Sequence, residues 1–360
     1  MTFLQKNDYE PYSFFDALQE LYCGEEPLAE RLVGKLLQYD PGTDREATAR
    51  KIRNWRHDRN YPKNREELFK VCFALGLTES QADSLLGMTA ESGIHLRNPR
   101  ELIYAFCMRK GMDYPQAAAL VEHLWGEQLP AGGREYRDYY RNSGRREATG
   151  NYTESFRRDF ESVQTEEELK VFLENRKGRF GLMHNTAYRK FRKMLECLMN
   201  PQQERTVYPK EQAYSIRKLV NEYIRMGVPY KRKTERYTWL QREIKKHWPS
   251  DRSIYEMYKR KLDVDRKTLL LLYLATEGEG MPEEEHSVLE HRRKMNIMLA
   301  ECGMPVLDRH NPFDCLIMEV CRNSSEEDYI GMQMERAVRK IFAEEDGTKQ
   351  NSMGDESDGF

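Results

Sequence analysis

The sequence lacks the features that would place it in several large classes of protein. Its longest uninterrupted apolar run, 269–275, is far short of the roughly 20 residues a bilayer-crossing helix needs, so no membrane partner is expected. Residues 1–8 carry no basic stretch leading into an apolar one, so no secretory leader is expected and the expected location is the cytoplasm. The seven cysteines contain no Cys-x-x-Cys pair, and Cys72, Cys107, Cys197 and Cys315 sit inside apolar helical patterns. Reduced thiols acting as small buried hydrophobes are therefore expected, rather than disulfides or zinc ligands.

Catalytic patterns are equally scarce. There is no Gly-x-Ser-x-Gly elbow, and Gly278-Glu279-Gly280 is not followed by the Lys-Ser/Thr of a phosphate loop. His286 and His291 are five residues apart, which turns them about 140° from each other on a helix and keeps them from sharing a metal. Glu283, Glu284 and Glu285 fall at an expected helix start, where carboxylates complement the dipole without any chemistry. The expectation is a protein that is not an enzyme, with no catalytic residue, no metal and no cofactor.

Charged residues make up 33% of the chain and hydrophobic ones 39%, with 14 Phe, 21 Tyr and 4 Trp. That much aromatic surface offsets the ordering entropy that keeps polar chains unfolded. At 360 residues two domains are expected. The net charge of −2 hides an asymmetry. Segment 45–65 has eight Lys/Arg against Glu46 and Asp58, a net +6; segment 205–252 has a net +8; segment 343–360 has a net −5. Basic stretches in a near-neutral chain mark candidate contacts for anionic partners.

Apolar residues recur at helical spacing along nearly the whole length, and the alternation and Asn-Gly or Asp-Gly turns of hairpins are absent. The fold expected is all-α. Ser13 caps a helix with Phe14, Leu18, Leu21 and Tyr22 on one stripe. Asp40-Pro41-Gly42-Thr43 breaks the chain before a helix over 44–57 whose expected buried residues are Ala47, Ile52 and Trp55. Asn64 caps the next helix, which stops at Gly76, and Thr165 with Glu168 makes a capping box. Later helices are expected over 185–199, 209–226, 237–247, 250–262, 265–276, 282–301, 312–322 and 325–343. The expected organisation is a helical domain over 1–125, a Gly/Arg-bearing linker over 126–152, a C-terminal helical domain over 153–343, and an acidic disordered tail over 344–360.

Residues 64–75 echo 265–275: a capping residue, an Arg, a polar pair and a buried helix, each with a Trp upstream, Trp55 or Trp248. Capped amphipathic helices look alike on general grounds, and two versions of one helical module would give the same pattern. In 229–249, aromatics alternate with cations. Stacking on bases would use such a mixture, but Tyr237, Leu240, Ile244 and Trp248 fall at helical spacing, which favours their burial with Arg236, Arg242, Lys245 and Lys246 in water.

Segment 43–62, with the capped helix up to Gly76-Leu77, resembles the second half of lambda-repressor-like (XRE-type) helix-turn-helix domains. The likeness lies in a helix ending in an aromatic, a basic turn with Pro, then Arg-Glu-x-Leu and a helix closing at Leu-Gly-Leu. It covers at most residues 13–87. Ala29 is followed by Gly34 at five positions, and 36–42 forms a longer connection than that family's brief turn. The resemblance implies that Arg45, Thr48, Ala49 and Arg53 face bases while Arg56, Arg59 and Lys63 lie near phosphates; Arg suits both tasks. A bacterial-type DNA-binding transcriptional regulator is expected, acting by occlusion or recruitment. Double-stranded DNA is the expected partner, and a protein partner or a homodimer is also admitted. The alternative is a non-catalytic helical adaptor in a protein complex, without nucleic-acid binding.

Overall fold

The computed structural model describes residues 10–62, 64–90, 93–126, 152–181, 183–199, 215–229, 237–276, 288–322 and 330–343. Among them the chain is all-helical, with seventeen α-helices and no strand. In order these are α1 (Phe14–Leu21), α2 (Leu28–Tyr39), α3 (Arg45–Arg56), α4 (Arg65–Leu75), α5 (Glu79–Ala90), α6 (Pro99–Arg109) and α7 (Tyr114–Trp125). They are followed by α8 (Tyr152–Glu161), α9 (Glu166–Arg176), α10 (Asn185–Met199), α11 (Ile216–Leu219), α12 (Trp239–Lys245) and α13 (Asp251–Tyr258). The last four are α14 (Arg266–Thr276), α15 (Val288–Glu301), α16 (Pro312–Arg322) and α17 (Ile330–Ala343). No helix among the described residues is long and apolar enough to cross a membrane.

Local sequence sets the helix ends. The Ser13 hydroxyl and the Asp16 carboxylate close a capping box at α1, as Thr165 and Glu168 do at α9. Asn64 Oδ1 accepts the amides of Glu66 and Glu67 at 2.7 and 3.4 Å. The α4 helix stops at Gly76, whose φ of +65° suits glycine and few other residues. Of the single helix expected over 209–226, residues 209–214 lie outside the described residues, and the rest is a short α11 followed by a π turn, Val220–Ile224. Arg225 N donates to Val220 O at 2.8 Å there, which brings Leu219, Val220 and Ile224 to the inside together.

Among the described residues two hydrophobic cores are present, each built around a helix apolar on nearly every side. In the first, α4 buries Leu68, Phe69, Val71, Cys72, Phe73, Ala74 and Leu75; in the second, α14 buries every residue from Arg266 to Leu274. The division between the cores falls between Phe180 and Ala187. A second domain starting at 153 was expected, yet Phe156, Phe160, Leu169, Phe172 and Phe180 belong to the first core. Their attachment has a clear cause. Arg109 of α6 donates to the carbonyls of Phe160 and Val163 at 3.2 and 3.3 Å and lies over the Phe160 ring, while Trp125 meets Phe180 edge-on at 5.3 Å. The expected linker, apart from Gly126 and Tyr152, and the expected acidic tail lie outside the described residues.

Cys72, Cys107, Cys302, Cys315 and Cys321 are buried, and burial pushes the Cys72 and Cys107 thiols up to about 12. Cys197 departs from expectation. Leu195 and Leu198 take the inner face of α10 and leave Cys197 exposed.

Candidate nucleic-acid interface

The α3 helix is capped by Asp44, whose carboxylate accepts the Ala47 amide at 2.8 Å, and ends in a turn where Arg59 N donates to Asn54 O at 3.0 Å. Asp58 sits in that turn at φ +52°. Thr48, Ile52 and Trp55 are the buried residues, spaced i, i+4, i+7 on one face. Trp55 packs edge-on against Phe14 at 5.5 Å, which seats the helix on α1. The connection from α2 is held by a Thr43 N to Asp40 O bond at 3.0 Å and by Lys70, which reaches both Asp40 oxygens at 2.5 and 2.7 Å.

The sequence-expected residues divide sharply. Arg45, Arg53, Arg56 and Arg59 are exposed, and so is Arg50. None of the five pairs with an acid among the described residues. Arg45, Ala49, Arg53 and Arg56 follow one another along a single stripe of α3, with Ala49 half-buried. Arg53 and Arg56 lie in the last turn, where the helix dipole favours positive charge. Thr48 is a correction. It is 5% exposed and its hydroxyl donates to Asp44 O at 3.0 Å, so it faces the core and is withdrawn from any partner. Ala47, expected inside, is exposed, because Thr48 rather than Ala47 shares the stripe of Ile52 and Trp55. Lys63 lies outside the described residues.

Beside the C-terminal end of α3 the two cores meet through side chains that sequence reasoning assigned to water. Arg242 of α12 donates to Asp58 O, and Lys246 donates to Thr89 O and stands 4.2 Å from the Tyr61 ring centre. Tyr237, Leu240, Ile244 and Trp248 are buried, as their spacing indicated. No sequence signal distinguishes a cation that bridges two cores from one that is solvated; only the juxtaposition does. Between Phe14, Asp58, Tyr61, Trp239, Arg242 and Glu243 lies a cavity of about 50 Å³, room for a few waters and too small for an organic ligand. Burial there raises the pKa of the Asp58 carboxyl. Among the described residues no group of three His, Cys, Asp or Glu side chains is placed to hold a metal ion.

The chain matches no family model, no curated protein and no solved structure.

Proposed function

We propose that the protein binds duplex DNA through α3, as a regulator that acts by occupying its site or recruiting others to it. The observation that carries this is the set of five exposed arginines, Arg45, Arg50, Arg53, Arg56 and Arg59, on and just after one helix, with no acid among the described residues to neutralise them. Guanidinium groups left unpaired in a near-neutral protein favour a partner that brings its own negative charge, and phosphates do so at regular spacing. The exposed Arg45 beside the small Ala49 supports approach of the helix to base edges, with Glu46 the one acid of that first turn; Arg56 and Arg59 at the other end suit the backbone.

The test is a salt series of electrophoretic shifts on duplex DNA, single-stranded DNA and RNA. Arg45→Ala is expected to relax sequence preference and cost about 1 to 3 kcal/mol. Arg56→Ala or Arg59→Ala is expected to weaken all sequences alike and flatten the salt dependence by about one unit, since a phosphate contact releases counterions but reads no base. Only the uniform response would reduce the activity to non-specific binding. No duplex affinity at low salt would overturn the proposal in favour of a protein partner.

A further inference from the structure

The second core repeats the first in ways that helical packing alone does not require. Arg65, the first residue of α4, clasps Glu101 in the first turn of α6 through two bonds of 2.8 and 2.6 Å and also donates to Gly93 O at 2.7 Å. Arg266, the first residue of α14, clasps Asp314 in the first turn of α16 through two bonds of 2.7 Å and also donates to Val306 O at 3.1 Å. Glu101 takes the amide of His95 at 2.8 Å, and Asp314 takes that of Asp308 at 2.9 Å. Asp83 of α5 accepts Ile94 N at 2.6 Å, and Asn296 of α15 accepts Leu307 N at 2.8 Å. Asn98-Pro99 opens α6 as Asn311-Pro312 opens α16, each Asn accepting the amide two residues on. One shift of 213 positions carries each of these residues, apart from the two arginines, onto its counterpart.

The correspondence extends along the chain. Asn54, Trp55 and Asp58 at the end of α3 match Glu256, Met257 and Arg260 at the end of α13. In both turns the third residue has positive φ, +52° and +53°, and the same pair of backbone bonds closes the helix. Buried Ala117, Leu120, Val121 and Trp125 of α7 share the spacing of Met334, Ala337, Val338 and Phe342 of α17. Buried Leu32, Leu36 and Tyr39 of α2 share that of Phe191, Leu195 and Leu198 of α10. The contacts between the copies are reciprocal as well. Arg97, ahead of α6, accepts Gly181 N through its carbonyl at 3.1 Å and donates to Met183 O at 3.1 Å; these residues lead into the second copy. His310, at the matching place ahead of α16, accepts Tyr12 N at 3.0 Å, and its ring lies 3.1 Å from Glu10 O; these residues lead into the first. Contacts that exchange partners in this way are the mark of a two-fold relation.

We infer that the chain is one helical module joined to a second version of itself, and that α13, the counterpart of α3, is a second duplex-contacting helix. The matched turn places Arg252 where α3 has Arg50, Tyr255 where it has Arg53, and Lys261 where it has Arg59. Arg252, Tyr255, Lys259 and Lys261 are all exposed; Arg252 is tied to Glu256 at 3.2 Å, and Lys259 stands 5.6 Å from the ring centres of Tyr255 and Tyr258. Ile254 and Met257 are fully buried, as Ile52 and Trp55 are, so α13 is seated by the same face and offers the same side to solvent. Lys259 and Lys261, with no acid partner among the described residues, supply charge complementary to phosphate. A duplex has local two-fold axes of its own, so two modules related in this way meet it through equivalent faces. The inference rests on duplex binding by α3.

The test selects bound duplexes from a random pool with the full chain, then maps backbone protection on the selected duplex for wild type, Arg53→Glu, and Lys259→Glu combined with Lys261→Glu. Wild type is expected to protect two patches. Arg53→Glu should lose one and the lysine pair the other, each with about tenfold weaker binding. Tyr255→Ala should weaken the same patch as the lysine pair. If the lysine variant unfolds early, Lys259→Gln with Lys261→Gln takes its place and should show the same loss. Two intact patches at wild-type affinity in a lysine variant that unfolds at the wild-type temperature would overturn the role of α13 and leave that of α3 standing. Wild-type failure to bind any duplex at low salt would overturn both.

Discussion

The Arg266–Asp314 clasp gives the sharpest test of how the second core is held. Both side chains are almost wholly withdrawn from water, 7% and 1% exposed, and among the described residues the guanidinium has only Pro305 O and Val306 O besides the carboxylate. Asp314→Ala removes the countercharge but leaves a buried cation, for which the expected cost is about 3 to 5 kcal/mol. It also strands the Asp308 amide, which donates to the same carboxylate. The pair itself is not expected to be worth that much, because drying two ions consumes most of their attraction. Arg266→Met with Asp314→Leu should therefore recover a large part of the loss. The equivalent Glu101→Ala should cost less, since Arg65 is 25% exposed and water can solvate the guanidinium that remains. Urea unfolding followed by circular dichroism on the full chain, with both single variants and the double, measures all of these. A loss below about 1 kcal/mol for Asp314→Ala, or a double variant as damaged as the single, would refute the reasoning.

Two further outcomes follow from burial. Trp55→Ala should destabilise the first core by about 3 to 5 kcal/mol, because the indole is 1% exposed and packs on Phe14; unchanged urea unfolding would mean that α3 is not seated by this residue. Burial opposes ionisation of Glu101, but Arg65 and the His95 amide outweigh it and hold the carboxyl below its ordinary value. A depressed folded pKa contributes stability that is present above the ordinary value of 4.5 and lost as pH falls through the folded one. Stability should decline below that pH more steeply in wild type than in Glu101→Gln, and parallel acid unfolding curves would contradict it.

Much of the fold is legible in residue order because it depends on local chemistry. Ser13, Asn64 and Thr165 start helices wherever they stand before a helical stripe, since they satisfy amides that no other group reaches. The burial of Trp55, Tyr237, Leu240, Ile244 and Trp248 follows from period alone. Thr48 shows where residue type misleads: with Ile52 and Trp55 it completes an i, i+4, i+7 stripe, yet a hydroxyl is not counted as core and a methyl is, so Ala47 was expected in its place. The division between the cores was hidden for a different reason. The change of composition at 126–152 is a local signal, whereas the allegiance of Phe156 to Phe180 is decided by Arg109 and Trp125, residues distant in sequence.

The repeat was the least legible feature, and its near-invisibility has a physical cause. Apolar positions tolerate any hydrophobe of fitting volume, so Phe69 and Leu270, or Trp125 and Phe342, occupy matching places without resembling each other. What persists is the set of buried polar groups whose partners are fixed: Arg at the head of one helix, an acid in the first turn of another, and the amides between them. Exchanging such a group alone leaves a desolvated charge, so the two copies retain the clasp while their cores diverge. The spacing between matched helices also differs, 159 positions from α2 to α10 and 217 from α7 to α17, which breaks any fixed period that a reading along the chain would detect. The echo between 64–75 and 265–275 survives because each of those helices carries its arginine at the first position, where the clasp requires it. Because the clasp ties α4 to α6, and α14 to α16, it fixes the frame on which α3 and α13 are carried. Reciprocal contacts through Arg97 and His310 join the two matched frames, and a fixed relation between α3 and α13 is what a single duplex spanning both would require.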